Sequence, residues 1–529
     1  MSADLFFRAE DLRREDIHRY LVETTRDRSI IDQLKGGSPI VLKGSRGVGK
    51  SFLLKAAEAE LVREFEERRV LPVYVTFATA GLLNAPTGVS FLAWMIAKIC
   101  NRIVRASATL GVTMPDGTAV ASIRAGGSMS HRSRLETVEQ DFENSWRSRK
   151  PADTSTVPEA GIVLDAVEDL CVHAKLTRVV LLIDEAAHVF IPEQQRQFFT
   201  LMRNLRSPYV VVKAAVYPGT TSFGPHFQPT HDAAFLSLDR AVTDDGYSDA
   251  MREIVRRQSQ PLARAITQYG EDFDTVAFAA TGNPRVLLKI LSRGGTFNRR
   301  NIQESMKEYY RNEIWAEHSD LAARYRGHTE LIDWGRRFIQ GAVLPEHYAR
   351  NTKRSEQIST IWIHRDAPVA ARAALQLLCY SGILQEGPSG IKSRSDGVGT
   401  RYIVNFGCQF AMDSDPVQYG LQVRVGLSIS RSTEYGMSHA SFESLGEFAL
   451  SRAEQSVNRA YRARLKDDLR RLDLTRFQRS KLDELGLNTI GDVLSTTELS
   501  FKRAAYVGPV RARQIRNAAL AAVLEYLTG

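Results

Sequence analysis

The chain has 529 residues, of which 43% are hydrophobic and 25% are charged, and its formal net charge is +9. This length exceeds one ordinary hydrophobic core and predicts roughly two to four domains of a soluble globular protein. No apolar run reaches the ~18 residues of a membrane-spanning helix, and the charged start MSADLFFRAEDLRRED is unlike a secretory signal.

The cysteines and the charge distribution narrow the class of protein further. Cys100, Cys171, Cys379 and Cys408 lie far apart without C-x-x-C spacing, which predicts reduced core thiols in a cytoplasmic protein. The segment 451–529 holds 15 Lys and Arg against 9 Asp and Glu, which is two-thirds of the net charge. Such a basic tail predicts a polyanionic partner, most simply nucleic acid; a solvated basic helical face is the alternative.

A helical stretch at 8–35 leads into the strongest motif, PIVLKGSRGVGKS, at Pro39–Ser51. Its spacing is G-x-x-x-x-G-K-S, in which glycines let the backbone curl until several amides converge on phosphate. The helix that opens at Lys50 points its positive end at the anion. We expect Lys50 to reach the β and γ phosphates of ATP and the Ser51 hydroxyl to hold Mg²⁺. The predicted nucleotide-binding residues are Gly44, Ser45, Arg46, Gly47, Val48, Gly49, Lys50, Ser51 and Phe52.

A second strand is predicted at Leu71–Phe77, a helix at about Ser90–Ala106, and an insertion rich in Gly, Ser, Thr and Pro at 107–160. The apolar run Val179–Ile183 predicts a strand that is buried on both faces. It ends at Asp184 and Glu185. We expect Asp184 to hold Mg²⁺ through a water and Glu185 to polarise the attacking water.

Further strands at Tyr209–Val216 and Ala234–Leu238, separated by helices, predict a parallel sheet with its ligand site at the carboxyl ends of the strands. Residues 241–312 predict a helical lid. There Gly282–Asn283–Pro284 forms a turn and Arg285 begins a helix. At this position we expect Arg285 to contact a γ-phosphate, to cap a helix or to pair with a carboxylate. We include it with Lys50, Asp184 and Glu185 among the predicted catalytic residues.

Residues 313–415 predict a winged-helix-like domain, because the helix Pro368–Ser381 precedes a strand, a polar tip and a second strand. Lys392, Arg394 and Arg401 flank this wing, and a purely structural domain is the alternative. Residues 416–472, with a polar coil or short strand at Gln422–Ser430, are interpreted as a connector.

Residues 473–529 repeat a helix, a tight turn and a helix, first around Gly486 and then around Val507–Gly508–Pro509. Turns of this kind expose backbone amides that meet a DNA phosphate without reading sequence, and a protein-docking module is the alternative. The predicted DNA-binding residues are Val507, Gly508, Pro509, Arg511, Arg513, Arg516, Lys392 and Arg394.

Residues 8–310 resemble the AAA+ ATPases of the ORC/Cdc6 type. The motifs that carry this resemblance are GSRGVGKS, LLIDEAAH and TGNPRVLL, and the same motifs also resemble the STAND signalling ATPases. The final 55 residues resemble helix-hairpin-helix modules and the DNA-binding C-terminal domain of the bacterial RNA polymerase α subunit. The resemblance implies an α/β fold: a P-loop parallel sheet of the ASCE type at 1–240, a lid at 241–312, the winged-helix-like domain, and a small all-α domain at 473–529. It also implies that Arg285 is the second sensor arginine.

Three departures from these families are visible. The segment Gly219–Ala234, where an AAA+ arginine finger is expected, contains no arginine, and Arg203 and Arg206 lie one helix earlier. The candidates for the first sensor are Tyr217 and Thr220. Tyr506 stands where helix-hairpin-helix motifs usually place their first glycine.

Two functions remain open at this stage. The first is an ATPase, with ATP and Mg²⁺ as cofactors, whose nucleotide state controls its grip on double-stranded DNA. The second is a STAND-like switch in defence or signalling that recruits an effector such as a nuclease. A homo-oligomer is compatible with both functions, and no membrane partner is expected.

Overall fold

The computed structural model describes residues 5–6, 8–77, 88–124, 134–144, 153–186, 192–219, 221–224, 226–293, 297–324, 326–353, 357–393, 397–446 and 459–524. The chain divides into two compact units. The P-loop unit comprises Ser2–Arg264 and Gly282–Lys289, and the C-terminal unit comprises Ala265–Thr281 and Ile290–Gly529. The predicted lid at 241–312 is therefore shared between the two units.

The P-loop unit is built on a five-stranded parallel sheet with the order β2-β3-β4-β1-β5. β4 is the central strand of this sheet. β1 leads into the P-loop and lies between β4 and β5. This arrangement confirms the predicted α/β fold with a parallel P-loop sheet. The strands are β1 (Ile40–Lys43), β2 (Val70–Thr76), β3 (Arg178–Asp184), β4 (Val210–Val216) and β5 (Ala234–Ser237).

Both faces of this sheet are covered by apolar side chains. Alternate residues of β3 enter opposite cores: Val179, Leu181 and Ile183 join one cluster, whereas Val180 and Leu182 join the other. Burial on both faces explains why the strand is continuously apolar and does not alternate with polar residues. The α-helices that flank the sheet are Ile17–Tyr20, Thr25–Lys35, Lys50–Arg63, Phe65–Arg68, Gly88–Thr109, Thr118–Arg124, Arg134–Glu143, Ala160–Ala174, Pro192–Asn204 and Tyr247–Gln258.

The long helix predicted at 8–35 is interrupted at residues 21–24. Thr24 starts the helix Thr25–Lys35 with a capping box, in which its hydroxyl accepts from Asp27 N and the Asp27 carboxylate accepts from Thr24 N. Within the predicted insertion at 107–160, the helices Thr118–Arg124 and Arg134–Glu143 bury Val120, Leu135 and Phe142 in the core cluster. The described parts of the insertion are thus packed structure.

Buried charges join the helix before β1 to the helix after the P-loop. Glu60 accepts from Lys35 Nζ at 2.7 Å and from Arg28 Nη1 at 2.7 Å. Burial alone raises the pKa of Glu60, but hydrogen bonds and charge from Arg28 and Lys35 outweigh it and hold the pKa at about 2. The two helices on either side of β1 are therefore held together by ionised groups that all have partners.

A second, four-stranded sheet with the order β7-β8-β6-β9 lies in the C-terminal unit. β7 and β8 form the antiparallel hairpin that was expected as a wing, and β6 also pairs with β8 antiparallel. β9 pairs with β6 in parallel, so the segment predicted as a connector contributes a strand to this sheet. The strands are β6 (Gln357–His364), β7 (Leu384–Lys392), β8 (Val398–Val404) and β9 (Leu427–Tyr435).

Only one helix, Val369–Tyr380, joins β6 to β7, and residues 365–368 form a turn. A helix-turn-helix has two helices at such a place, so this connection differs from it, and the winged-helix-like domain stays a prediction. The other α-helices of this unit are Gly270–Ala279, Arg299–Glu308, Ile314–Ser319, Leu321–Arg324, Thr329–Phe338, Leu344–Asn351, Phe406–Phe410, Pro416–Val425, Glu443–Gly446, Arg459–Leu465, Arg476–Glu484, Ile490–Ser495, Glu498–Phe501 and Pro509–Leu524. Gln260–Gln268 and Pro284–Arg293 cross the division between the units.

The C-terminal helices are anchored to the rest of their unit by a buried amide. Asn517 Oδ1 accepts from Val369 N at 2.9 Å, and its Nδ2 donates to Ala367 O at 3.2 Å. Arg513 Nη1 adds a bond to Met437 O at 2.9 Å. These bonds hold the helix Pro509–Leu524 against Ala367, Val369 and Met437 of the same unit. Across the described ranges, no helix has the length and apolar character to cross a membrane.

A buried histidine predicts acid sensitivity of the C-terminal unit. His347 is 1% exposed, neither ring nitrogen has a hydrogen-bond partner among the described residues, and burial, then Arg350, lowers its pKa from 6.5 to about 4. As the pH falls from 6.5 to 4, His347 becomes protonated in the unfolded chain but stays neutral in the folded chain. Stability should therefore drop by about 3 kcal/mol over this range through this residue.

His347→Leu should make the unfolding free energy of the C-terminal unit less dependent on pH between 6.5 and 4, as measured by denaturant unfolding. The exposed His231→Leu is the control and should keep the wild-type dependence. Equal pH dependence in His347→Leu and wild type would contradict the assignment.

Candidate functional site

The loop between β1 and the helix Lys50–Arg63 curls at two glycines in the left-handed region. Gly47 has φ +92° and Gly49 has φ +107°. A Cβ on Gly47 would lie 2.7 Å from Asn283 Oδ1 and 2.9 Å from Arg285 Cβ. This position is thus limited to glycine both by its backbone angle and by the close approach of the segment at 282–289.

A cavity of about 340 Å³ opens at this loop, within the ~300–1,000 Å³ typical of small-molecule sites. All of its lining residues belong to the P-loop unit. Charged groups line it from five places in the chain: Arg8 and Glu10 near the start, Arg46 and Lys50 in the loop, Glu185 after β3, Arg240 after β5, and Arg285. The cavity lies at the carboxyl ends of the strands, as expected for a parallel sheet.

Lys50 is folded back onto its own loop. Its Nζ donates to Gly44 O at 2.6 Å and to Ser45 O at 3.0 Å, and lies 4.0 Å from the centre of the Tyr217 ring. Burial lowers the pKa of Lys50 to about 8, although the charges of Asp184 and Asp239 oppose this shift. The ammonium is held by neutral carbonyls and a ring, so an anion in the cavity would stabilise it.

The acidic pair at the end of β3 has a rigid backing. Asp184 is 2% exposed, and its Oδ2 accepts from the Tyr74 hydroxyl at 2.7 Å while its Oδ1 accepts from Glu185 N at 2.9 Å. Glu185 adopts φ +55°, a left-handed conformation that is uncommon outside glycine. Burial first, and then the charge of Asp184, raises the pKa of Glu185 to about 7.

Asn283 connects the segment at 282–289 to the P-loop. Its Nδ2 donates to Arg46 O at 2.8 Å, and its Oδ1 accepts from Arg285 N at 3.1 Å and Val286 N at 3.3 Å. Asn283 therefore caps the helix Pro284–Arg293 and aligns it with the loop. Burial lowers the pKa of Arg285, as does the charge of Arg46.

The structure brings the predicted residues together in one place. Residues 46–52, Glu185 and Arg285 line the cavity, Gly44 and Ser45 hold Lys50, and Asp184 lies buried beside Glu185. Tyr217, a candidate for the first sensor, lies against Lys50; Thr220 lies outside the described residues. Arg203, which lies one helix before the segment where an arginine finger is expected, donates from Nη1 to His226 O at 3.0 Å.

Sequence reasoning missed the roles of four residues: Asp239, Arg240 and Asn283 hold the loop, and Tyr74 bonds Asp184. Asp239 Oδ1 accepts from Ser45 N at 3.2 Å, and Arg240 donates to Val48 O and to Asp27 Oδ1, each at 2.9 Å. Asp239 and Arg240 directly follow the predicted fifth strand, so their place at the carboxyl edge of the sheet was the available signal. Tyr74 gave no such signal, because its contact with Asp184 depends on how β2 aligns with β3, and the sequence does not show this register.

The predicted DNA-binding residues of the C-terminal unit separate into two groups. Lys392 is exposed at the end of β7, and Gly508, Pro509 and Arg511 are exposed at the second turn. Val507 is 6% exposed, and its N–H donates to Ala504 O, so it packs inward. Arg394 lies outside the described residues.

Arg513 and Arg516 are engaged within the unit. Arg513 pairs with Glu498 and bonds Met437 O, and Arg516 Nη1 donates to Thr496 O at 3.2 Å. Burial lowers the pKa of Arg516. The partners observed for both residues are internal, and their contact with DNA stays a prediction.

The residues at the cavity fit a magnesium ion. The Ser51 hydroxyl lines the cavity, and each Asp184 oxygen accepts one hydrogen bond, which leaves lone pairs for further contacts. Such oxygen donors suit Mg²⁺, which keeps several waters and needs few protein ligands. The described ranges contain no group of three or more His, Cys, Asp or Glu side chains arranged to hold a metal.

Comparison with known proteins agrees with this geometry. Residues 31–214, which run from the helix before β1 to β4, match the family model described as "AAA domain". This part of the chain is therefore similar to an AAA domain. The matched range contains the P-loop, the acidic pair, β1 to β3 and most of β4, whereas β5 and Arg285 lie beyond it.

Two solved structures from Aeropyrum pernix are similar to this chain. The ORC1 protein in complex with DNA is 14% identical with a TM-score of 0.33, and the match covers 75% of this chain and 95% of that one. The ORC2 protein, in ADPNP-ADP complexes, is 12% identical with a TM-score of 0.36, covering 76% and 95%. Scores this low do not carry a function to this chain. The sequence matches no curated protein.

The bond from Tyr74 to Asp184 leads to a prediction. Tyr74→Phe removes the hydroxyl that fixes the carboxylate, so the Mg²⁺ concentration for half-maximal ATP hydrolysis should rise about tenfold or more. A magnesium titration of turnover measures this. Tyr209→Phe is the control: Tyr209 lies just before the amino-terminal end of β4, and the variant should behave as wild type. An unchanged magnesium requirement in Tyr74→Phe would show that Tyr74 does not support the magnesium site.

Proposed function

We propose that this protein is an ATP-hydrolysing AAA+ ATPase of the ORC/Cdc6-like type, whose nucleotide state controls how its C-terminal unit engages DNA. The observation that carries the proposal is the convergence of Arg46, Lys50 and Arg285 on one cavity beside the carboxylate of Glu185. Arg8 and Arg240 also line this small cavity, and such an excess of basic side chains suits a triphosphate. The ORC/Cdc6-like assignment rests on the three sequence motifs, and the AAA match does not favour the STAND-like alternative.

Burial of the cations supports a polyanionic ligand. Burial lowers the pKa of both Lys50 and Arg285, which means that their charged forms lack enough compensation in the free protein. A triphosphate would supply this compensation. Lys50 would exchange the carbonyls of Gly44 and Ser45 for phosphate oxygens, and the amides of the loop would hold the remaining oxygens.

The acidic pair supports hydrolysis. Ser51 and, through a water, Asp184 would hold Mg²⁺, which would supply charge neutralisation on the β and γ phosphates. Tyr74 keeps the Asp184 carboxylate in one orientation. Glu185, at the rim of the cavity, would orient the attacking water, and Arg285 would offset the charge that develops on the γ-phosphate.

The course of the chain supports coupling between nucleotide and DNA. Asn283 and Arg285 belong to Gly282–Lys289, and the residues before and after this segment belong to the C-terminal unit. A shift of Arg285 toward phosphate would therefore be passed along the chain in both directions. Double-stranded DNA is the proposed partner of the exposed Lys392, Gly508 and Arg511, and a homo-oligomer would have to supply an arginine from outside Gly219–Ala234.

Lys50→Ala should abolish tight nucleotide binding. Loss of the buried ammonium should weaken the affinity for ATP by at least about 30-fold, as measured by titration with a fluorescent ATP analogue. Arg63→Ala removes an exposed charge from the last turn of the same helix and should bind as wild type. ATP binding by Lys50→Ala at wild-type affinity would refute the P-loop assignment.

Glu185→Gln should separate binding from hydrolysis. The amide keeps the shape of the side chain but cannot accept a proton, so turnover should fall about 100-fold or more while ATP affinity stays near wild type. Glu193→Gln, in the next helix, is the matched control. Normal turnover in Glu185→Gln would exclude Glu185 from this role.

The same Glu185→Gln variant tests nucleotide control of DNA binding, because it holds ATP without consuming it. Its affinity for duplex DNA, measured with ATP and then with ADP, should differ at least about fivefold. The affinity should also fall with salt, as for phosphate contacts. Equal affinities in both nucleotide states would contradict the proposed coupling.

A further inference from the structure

The second turn of the C-terminal helices carries an aromatic side chain in an unfavourable backbone conformation. Tyr506 has φ +65° and its side chain is 83% exposed. A bulky residue in the left-handed region is uncommon, and such an outlier is a reason to look for a function. Among the described residues, the Tyr506 side chain has neither a ring contact nor a hydrogen bond.

The chain itself contains the ordinary version of this turn. In the first repeat, Gly486 takes the equivalent place with φ +71°, and it is followed by the apolar Leu487 as Tyr506 is followed by Val507. Nothing lies within 4 Å of the position of a Cβ on Gly486. The two turns thus share a backbone conformation that suits glycine, and only the second places a large ring there.

Basic groups surround the exposed ring. Arg511 Nη1 donates to Tyr506 O at 2.5 Å, and its Cζ lies 5.0 Å from the centre of the Phe477 ring, which is itself 39% exposed. Lys502 and Arg503 are exposed just before the turn. Two acids of the same helices have basic partners, since Glu498 pairs with Arg513 and Glu484 with Lys481. The surface around the ring is therefore positive.

We propose that the turn at 505–508 binds single-stranded DNA, with the Tyr506 ring stacked on an unpaired base and with Arg511, Lys502 and Arg503 at the adjacent phosphates. This inference rests on the proposed DNA-binding function and makes its ligand more specific. In a continuous duplex each base is already stacked on both faces, so a protruding ring finds a partner only where a base is unstacked.

The test compares full-length Tyr506→Gly, Tyr506→Phe and wild type, each with ATP, on a labelled oligothymidine and on a blunt duplex of equal length. Wild type should bind the single strand more tightly than the duplex. Tyr506→Gly should weaken single-strand binding about tenfold while duplex affinity stays within about twofold, and Tyr506→Phe should bind as wild type. Leu499→Ala removes another exposed apolar side chain of the same module and should change neither affinity.

The thermal midpoint separates this role from a structural one. Glycine relieves the left-handed conformation, so Tyr506→Gly should melt at or above the wild-type temperature even as it loses single-strand affinity. Unchanged single-strand binding by Tyr506→Gly, or tighter binding of oligouridine than of oligothymidine, would overturn the inference. Wild-type binding to the duplex alone would overturn the inference and leave the proposed function standing, whereas binding to neither DNA would overturn both.

Discussion

The buried ammonium of Lys50 is the constraint around which the P-loop unit is arranged. It is 7% exposed, and among the described residues its partners are two backbone carbonyls and the face of Tyr217. A charge in this position is costly without an anion, and the cavity in front of it is shaped by further basic groups. The loop after β1 and the segment at 282–289 thus together place basic groups around one cavity, an arrangement suited to an anion.

The rigidity of this site comes from residues outside the motif. Arg240 ties Val48 to the capping box of Thr24 through Asp27, Asp239 holds Ser45, and Asn283 holds Arg46. Each of these side chains bonds a backbone group of the loop, so the loop is kept in shape from three directions. Preorganisation of this kind avoids the cost of ordering the loop when a ligand binds.

The C-terminal unit follows a different logic, in which separate sequence segments merge into one body. β9 completes the sheet of the hairpin, and Asn517 joins the last helix to the start of the helix Val369–Tyr380. A linker between modules would leave each free to move, whereas these bonds give the two turns and the hairpin a fixed relation inside the unit. Basic residues that looked alike in the sequence are thereby sorted, since Arg511 stays exposed while Arg513 and Arg516 serve as internal contacts.

The sequence by itself determined the parallel sheet, the P-loop and the acidic pair, because these depend on local patterns: a buried apolar strand, glycines at fixed spacing, and a strand that ends in Asp184 and Glu185. It also placed Arg285 in the first turn of a helix, since a Gly-Asn-Pro turn favours a helix start there, and the structure has the helix Pro284–Arg293. Only the tertiary structure decided which of the distant residues support these groups. Tyr74 meets Asp184, and β9 meets β6, through strand register, and register between segments far apart in the chain depends on packing that no local pattern records.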